Sequence, residues 1–266
     1  MKREIRNPIL EARGVVKAFG GLVAVNNVDL AVGKGEIVGL IGPNGSGKST
    51  LVNLFGGELD VTRGELRFGD QMITHLPVFQ RARLGLARSF QMLRLFGSLS
   101  VEENLLLAHH IRMQSSVWST FLGRRQAQIE EQKVRERARE LLAWFELDKF
   151  ASRPVVALSI GQQRMVELAR GLISDHQLFM LDEPAAGLAP PNVDRLINLI
   201  HRMRDELGIS ILIIEHDMRV IREVCDHVYV LDSGAMIAEG RPADVSEDAA
   251  VIEAYIGSGW KRRARA

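Results

Sequence analysis

Short, almost wholly apolar runs recur along the chain, and each one ends in glycine or in polar residues. The clearest of them are residues 37–41, 178–181 and 211–214. Runs of this length are typical of strands buried in a parallel sheet, with helices between them. From Leu10 to Ile73, strand-like runs separated by glycine turns predict an antiparallel β piece as well. The pattern therefore predicts an α/β fold with a mostly parallel sheet.

At about residues 98–157 a helical pattern interrupts the alternation of strands and helices. Apolar residues recur there at helix spacing on one expected face, and charged residues lie on the other. We therefore expect one domain over 8–257, with a helical subdomain at about 98–157 between two parts of one lobe, at about 8–97 and 158–257. Residues 258–266 form a basic tail. The residues on the expected apolar face are Ile129, Val134, Ala138, Leu141, Leu142 and Phe145.

The first buried run leads into a glycine-rich loop and then into a helical pattern. The loop reads G-x-x-x-x-G-K-[ST], and strand, loop and helix are the context in which this phosphate-binding P-loop occurs. Backbone N–H groups and the helix N-terminus attract phosphate oxygens, Lys48 would reach the terminal phosphates, and the Ser49 hydroxyl would hold Mg²⁺. The alternative is a glycine-rich turn that only happens to precede a helix. Such a turn would not require the two glycines, the lysine and the serine that the motif fixes. The residues concerned are Gly42, Pro43, Asn44, Gly45, Ser46, Gly47, Lys48, Ser49 and Thr50.

A second buried run ends in two carboxylates, Asp182 and Glu183. The carboxyl end of a strand in an open α/β sheet faces the ligand crevice. Asp182 is placed there to bind Mg²⁺, directly or through water, as in other P-loop nucleotide hydrolases. Glu183 could accept a proton from the attacking water or orient it. Solvated acids at a strand end are the alternative, and the P-loop upstream favours the metal site.

A third motif, Leu158-Ser159-Ile160-Gly161-Gln162-Gln163, opens a helical pattern in which Ser159 is a good N-cap residue. The order of P-loop, this motif, Asp-Glu after a strand and a lone His after another strand resembles the ATP-binding cassette (ABC) ATPases. The resemblance covers essentially the whole chain. Ile160 departs from the commonest form of the motif, Leu-Ser-Gly-Gly-Gln, and points to a subfamily.

The resemblance implies ATP and Mg²⁺ as cofactors on a P-loop NTPase core, and it assigns further residues. Gln91 matches the glutamine that senses Mg²⁺ and the transport partner, and His216 matches the histidine that contacts the γ-phosphate. Phe19 matches the aromatic residue that stacks on adenine, although an isolated Phe is more often part of a core. The implied catalytic residues are Lys48, Glu183 and His216, the metal site is Ser49, Gln91 and Asp182, and the signature residues are Ser159, Gly161 and Gln162.

Several segments look like the ATPases of branched-chain amino-acid importers, and within that group like the longer of the two ATPase subunits. They include Phe19–Val25, Asn104–His110 and Val251–Gly257. This resemblance implies a second ABC ATPase chain (a paralogue or a copy of itself), two permease subunits and, indirectly, a solute-binding protein. Importers of urea or short amides remain an alternative. A second alternative, from a different functional class, is a regulatory ABC ATPase that docks on a protein or nucleic acid.

Composition adds limits to the possible partners. The 266 residues are 46% hydrophobic and 25% charged, and the net charge of +1 gives no case for a nucleic-acid partner. The N-terminus lacks the apolar core of a signal peptide, and no apolar run approaches the roughly 20 residues that span a bilayer. Together with the permease subunits that the resemblance implies, this predicts a peripheral protein on the cytoplasmic face of the inner membrane. Leu95 and Phe96 are expected to line a groove for a permease helix, unless Phe96 packs within the helical lobe.

Overall fold

This computed structural model describes Ile5 and residues 7–89, 95–113 and 124–255, which include two sheets and several helices. The chain divides into two compact units. Met1–Arg88 and Gln177–Ala266 form the first, called here the sheet unit. Ser89–His176 forms the second, the helical unit.

The larger sheet of the sheet unit has the strand order β10-β9-β3-β8-β7-β6. All its neighbouring strands are parallel except β10, which is antiparallel to β9. Every residue of β3, β7 and β8 is buried, so the prediction of a mostly parallel sheet from apolar runs is confirmed. The strands are β3 (Ile37–Ile41), β6 (Leu86–Arg88), β7 (Leu178–Asp182), β8 (Ser210–Ile214), β9 (His227–Asp232) and β10 (Ala235–Gly240).

The smaller sheet is antiparallel, with the order β2-β1-β4-β5, and confirms the predicted antiparallel piece. Its buried residues join those of β3, β7 and the first helix in a single apolar core. The strands are β1 (Leu10–Phe19), β2 (Leu22–Val32), β4 (Arg63–Phe68) and β5 (Gln71–Met72). The helices of this unit are α1 (Lys48–Gly56), α2 (Val78–Arg83), α6 (Pro190–Leu207), α7 (Met218–Val224) and α8 (Pro242–Glu247).

The helical unit contains α3 (Val101–Met113), α4 (Arg124–Trp144) and α5 (Ile160–Leu172). It is longer than the segment 98–157 predicted from the pattern, and it includes α5, because that helix packs on α3 and α4. The expected apolar residues Val134, Ala138, Leu141 and Leu142 of α4, and Phe145 directly after it, are buried. Ile129 is 51% exposed, so its placement on that face was wrong. A helix turns about 100° per residue, and five residues therefore carry Ile129 well away from Val134.

No helix in these described segments combines the length and the apolar character needed to cross a membrane.

Candidate nucleotide site

The loop between β3 and α1 has a shape that requires glycine at two positions. Gly42 has φ +146°, and a Cβ there would lie 2.0 Å from the carbonyl oxygen of Leu231. Gly47 has φ +103°, and a Cβ there would lie 2.5 Å from the carbonyl oxygen of Ala24. Side chains at these positions would collide with backbone that cannot move aside. The loop is therefore fitted closely against β9 and β2, and α1 begins at its end, with Lys48.

Lys48 points back into the loop that precedes it. Its Nζ donates hydrogen bonds to the carbonyl oxygens of Gly42 (2.7 Å) and Pro43 (3.0 Å). Burial lowers the pKa of the ammonium, while the carboxylates of Glu183 and Asp182 act in the opposite direction. A buried cation at the first turn of a helix, with loop N–H groups beside it, is an arrangement that binds phosphate.

Asp182 is the last residue of β7 and is buried. Its Oδ2 lies 3.1 Å from Nη2 of Arg88, and Nη1 of the same arginine donates to Oδ1 of Asn53 on α1 at 2.7 Å. Arg88 therefore joins the strand that carries Asp182 to the helix that follows the phosphate loop. Sequence reasoning missed Arg88, whose only signal was a basic residue at the end of a strand.

A magnesium ion fits the donors present. Ser49 offers a hydroxyl and Asp182 a carboxylate, which are the hard oxygen ligands that Mg²⁺ takes, usually together with waters and substrate phosphates. Among the residues that the structure describes, no cluster of three or more His, Cys, Asp or Glu could hold a metal by itself. A hydroxyl together with a single carboxylate suits an ion that takes its other oxygens from water and a substrate phosphate.

Glu183 and His216 lie close together at the carboxyl edge of the large sheet. Nδ1 of His216 is 3.9 Å from Oε1 of Glu183. Glu183 has φ +47°, in the left-handed region, and its N–H donates to the carbonyl oxygen of Ile214 at 2.8 Å. The structure thus brings together, at the ends of β7 and β8, two residues that are far apart in sequence.

Glu215 is a buried acid next to this pair, only 1% exposed, and sequence reasoning missed it. Its Oε1 accepts a hydrogen bond from the N–H of Ala185 at 2.8 Å, and its Oε2 accepts one from the N–H of His216 at 3.1 Å. Burial raises the pKa of the Glu215 carboxyl, and the backbone N–H groups oppose that rise. Glu215 therefore joins the segment after Glu183 to the segment of His216. A carboxylate directly after an apolar run was its only signal.

The signature motif lies in the helical unit. Ser159 is the N-cap of α5, as predicted: its Oγ accepts from the N–H of Gln162, and Oε1 of Gln162 accepts from the N–H of Ser159 at 3.0 Å. This reciprocal capping box leaves the helix start well ordered. Phe19, at the end of β1, is exposed, with the ammonium of Lys17 5.0 Å from its ring centroid. Gln91 lies outside the described residues.

Sequence comparison decides the family. The profile described as "ABC transporter" matches residues 25–186, more than half of the chain. The chain belongs to the ABC transporter ATPases. A second profile, for branched-chain amino acid ATP-binding cassette transporters, matches residues 235–261 of this ABC ATPase. The resemblance seen in the motifs is therefore confirmed.

Relatives of this ABC ATPase include two proteins named as high-affinity branched-chain amino acid transport ATP-binding proteins. BraF of Pseudomonas aeruginosa is 39% identical over 250 residues, which cover 94% of this chain and 98% of the relative. LivG of Escherichia coli K12 has the same identity and coverage.

Solved structures of other cassettes share the fold of this ABC ATPase. An ATP-binding cassette of an ABC transporter in its ADP conformation has a TM-score of 0.83 at 33% identity, covering 94% of this chain and 99% of that one. A dimeric cassette in a post-hydrolysis state, bound to ADP and Pi, has a TM-score of 0.72 at 26% identity, covering 88% and 98%. The predicted P-loop fold is confirmed by these neighbours.

Proposed function

We propose that this ABC ATPase hydrolyses MgATP to drive the uptake of branched-chain amino acids through separate permease subunits. The observation that carries the proposal is the match of residues 235–261 to branched-chain amino acid cassettes. The names of the relatives from Pseudomonas aeruginosa and Escherichia coli agree with it. Urea or short amides are the alternative solutes, since the residues that select a solute would lie in other chains.

The arrangement of side chains suits ATP hydrolysis. In this proposal Lys48 and the loop N–H groups bind the phosphates, and Ser49 and Asp182, with Gln91, hold Mg²⁺, which offsets phosphate charge when it is bound. Glu183 orients the attacking water or accepts its proton, and His216 contacts the γ-phosphate. Phe19 is proposed to stack on adenine.

Two cassettes would complete each site. In this proposal Ser159, Gly161 and Gln162 of one chain bind the ATP that lies on the P-loop of its partner. The ordered N-terminus of α5 supports this role, because its N–H groups favour an anion. The dimeric relatives among solved cassettes support the pairing. The partner is a copy of this chain or a paralogue, and the subunit composition of the purified complex distinguishes the two.

A permease is proposed to dock on an exposed apolar patch of the helical unit, called here the docking patch. It consists of Phe96 and Val156, 45% and 66% exposed. Gly97 follows Phe96 in the chain and lies close to Val156, since a Cβ there would be 2.8 Å from Cγ1 of Val156. Exposed apolar side chains that lie together often mark a partner site. Docking there would hold the ATPase on the cytoplasmic face of the inner membrane.

The test is copurification followed by reconstitution. The tagged chain is expressed with candidate permeases, a second cassette and a solute-binding protein, and any complex that copurifies is placed in proteoliposomes. We expect ATP-dependent uptake of leucine, and none when Lys48→Ala replaces the parent chain. Uptake of urea instead of leucine would reassign the solute. Recovery of the chain with ribosomes or DNA, and without permeases, would favour the regulatory alternative.

A further inference from the structure

The last described helix of the chain contacts the phosphate loop. Residues 249–255 are helical and begin after Asp248, whose Oδ1 accepts the N–H of Ala250 at 2.8 Å. At Tyr255, the last described residue of this helix, the hydroxyl oxygen accepts a hydrogen bond from the N–H of Gly42 at 2.9 Å. The two residues are 213 positions apart, so this contact exists only in the folded chain.

Gly42 is held from several directions. Its N–H is bound by Tyr255, and its carbonyl oxygen accepts from Nζ of Lys48 at 2.7 Å. A Cβ on Gly42 would lie 2.0 Å from the carbonyl oxygen of Leu231, so no side chain fits there. Gly42 is also the first residue after β3, where the loop begins, so its orientation decides where the following N–H groups and the Lys48 ammonium point.

We propose that Tyr255 is a positioning residue for the phosphate loop: by holding the Gly42 N–H, it sets the loop and Lys48 for binding a nucleoside triphosphate. The inference rests on the nucleotide role proposed for the loop. Burial raises the pKa of the Tyr255 hydroxyl, so the group stays a neutral phenol at physiological pH. Coupling between two sites is reciprocal, and a bound nucleotide therefore strengthens the Tyr255 contact in turn.

The proposed role of Tyr255 assigns a function to the C-terminal residues 235–261. Tyr255 lies within residues 235–261, which match branched-chain amino acid cassettes. The stretch contributes a contact to the nucleotide loop from outside the residues 25–186 that match the general ABC transporter profile. In this proposal the affinity for nucleotide depends on whether the chain's last described helix is packed against the phosphate loop.

The chain has two tyrosines, which supplies a matched control. Tyr255→Phe removes one hydroxyl and keeps the ring. Tyr229→Phe does the same to a buried tyrosine whose hydroxyl bonds the backbone of Ala31. We expect Tyr255→Phe to raise the Kd for a fluorescent ATP analogue about three- to tenfold, the size of one neutral hydrogen bond. Tyr229→Phe should leave that Kd unchanged, even where it lowers the melting temperature more.

A spectroscopic measurement on the unsubstituted full chain covers the case in which Tyr255→Phe does not fold. With fluorotyrosine incorporated, fluorine NMR shows one resonance for each tyrosine, and Tyr229→Phe assigns them. Addition of Mg²⁺ and a non-hydrolysable ATP analogue should shift the Tyr255 resonance, and should not shift it in Lys48→Ala. An unshifted Tyr255 resonance, or an unchanged Kd in folded Tyr255→Phe, overturns the role of Tyr255. Normal nucleotide affinity in Lys48→Ala would instead overturn the proposed site.

Discussion

Glu183 combines an unfavourable backbone conformation, φ +47°, with a position 3.9 Å from His216. A non-glycine residue persists in this region only where its surroundings hold it, and such residues cluster at active sites. If Glu183 orients the attacking water, Glu183→Gln should bind ATP nearly normally and lose about 10²–10⁴-fold in turnover. Phosphate release and gel filtration with ATP measure turnover and an ATP-trapped dimer. Turnover at the parent rate would remove Glu183 from this role.

Lys48 and His216 should separate binding from chemistry. Lys48→Ala deletes a buried cation that lies against the loop, so it should weaken ATP binding and abolish hydrolysis. His216 is exposed, and its ring lies near Glu183, where it is proposed to contact only the γ-phosphate. His216→Ala should therefore slow hydrolysis and leave ATP binding largely intact. Equilibrium titration with a fluorescent ATP analogue compares the two. A folded His216→Ala chain that does not bind would contradict the γ-phosphate assignment.

Glu215 should affect turnover through its neighbours. Glu215→Gln puts an amide NH₂ where a carboxylate oxygen accepts backbone N–H groups, so the segments of Ala185 and His216 should move apart. Since a misplacement of about 1 Å can cost about 100-fold, we expect a loss of at least tenfold in turnover with little change in ATP affinity. Glu36→Gln is the matched control, because Glu36 also accepts a backbone N–H, that of Gly33. Equal effects in both variants would indicate general destabilisation.

The residues that sequence reasoning found are those with a local signature, such as Lys48 in its glycine loop and Asp182 at the end of an apolar run. It missed Arg88 and Tyr255 because their partners lie 94 and 213 positions away. Apart from the position of Arg88 at a strand end, nothing in the neighbouring sequence marks these contacts, because they form only when distant segments fold together.

At the scale of elements, burial explains both the successes and the error. Strands β3, β7 and β8 are buried throughout, so their composition alone identified them. The N-cap of α5 was predictable from Ser159, because a capping box acts within four residues. Ile129 was misplaced because a long helix has several faces, and only packing decides which one is covered. The boundaries of the helical unit could not be predicted from the helical pattern of the sequence either, because they depend on which helices contact one another.

Phe96 tests the docking patch. Phe96→Asp places a charge on a side chain that is 45% exposed, so it should leave basal ATP hydrolysis of the isolated chain nearly unchanged. It should abolish ATP-driven uptake in the assembled complex, because the apolar contact with the permease is lost. Ile129→Asp, on a residue of the same unit that is 51% exposed, is the control and should keep uptake. Loss of folding and of basal hydrolysis in Phe96→Asp would mark Phe96 as part of the core.

At the scale of the whole molecule, two chains should be needed for each working site. Lys48→Ala disables the P-loop, and Gly161→Asp puts a carboxylate at the start of α5 that repels phosphate. A mixed dimer of the two variants retains one composite site with neither defect. We expect partial recovery of ATPase activity in the mixture and none in either variant alone. The test is repeated with a paralogous cassette if the homodimer is weak, and folded proteins inactive in both settings would exclude the trans arrangement.

The strand order also has a consequence for how the protein is made. β3 leads into the phosphate loop, yet its two neighbours in the sheet are β8 and β9, from the far end of the chain. A ribosome that has released β3 must still add residues 42–214 before β8 is complete. Until then β3 is an unpaired apolar segment, of the kind that aggregates or binds chaperones. The nucleotide loop is therefore among the last parts to form, and a nascent chain stalled before β9 would be a target for proteolysis.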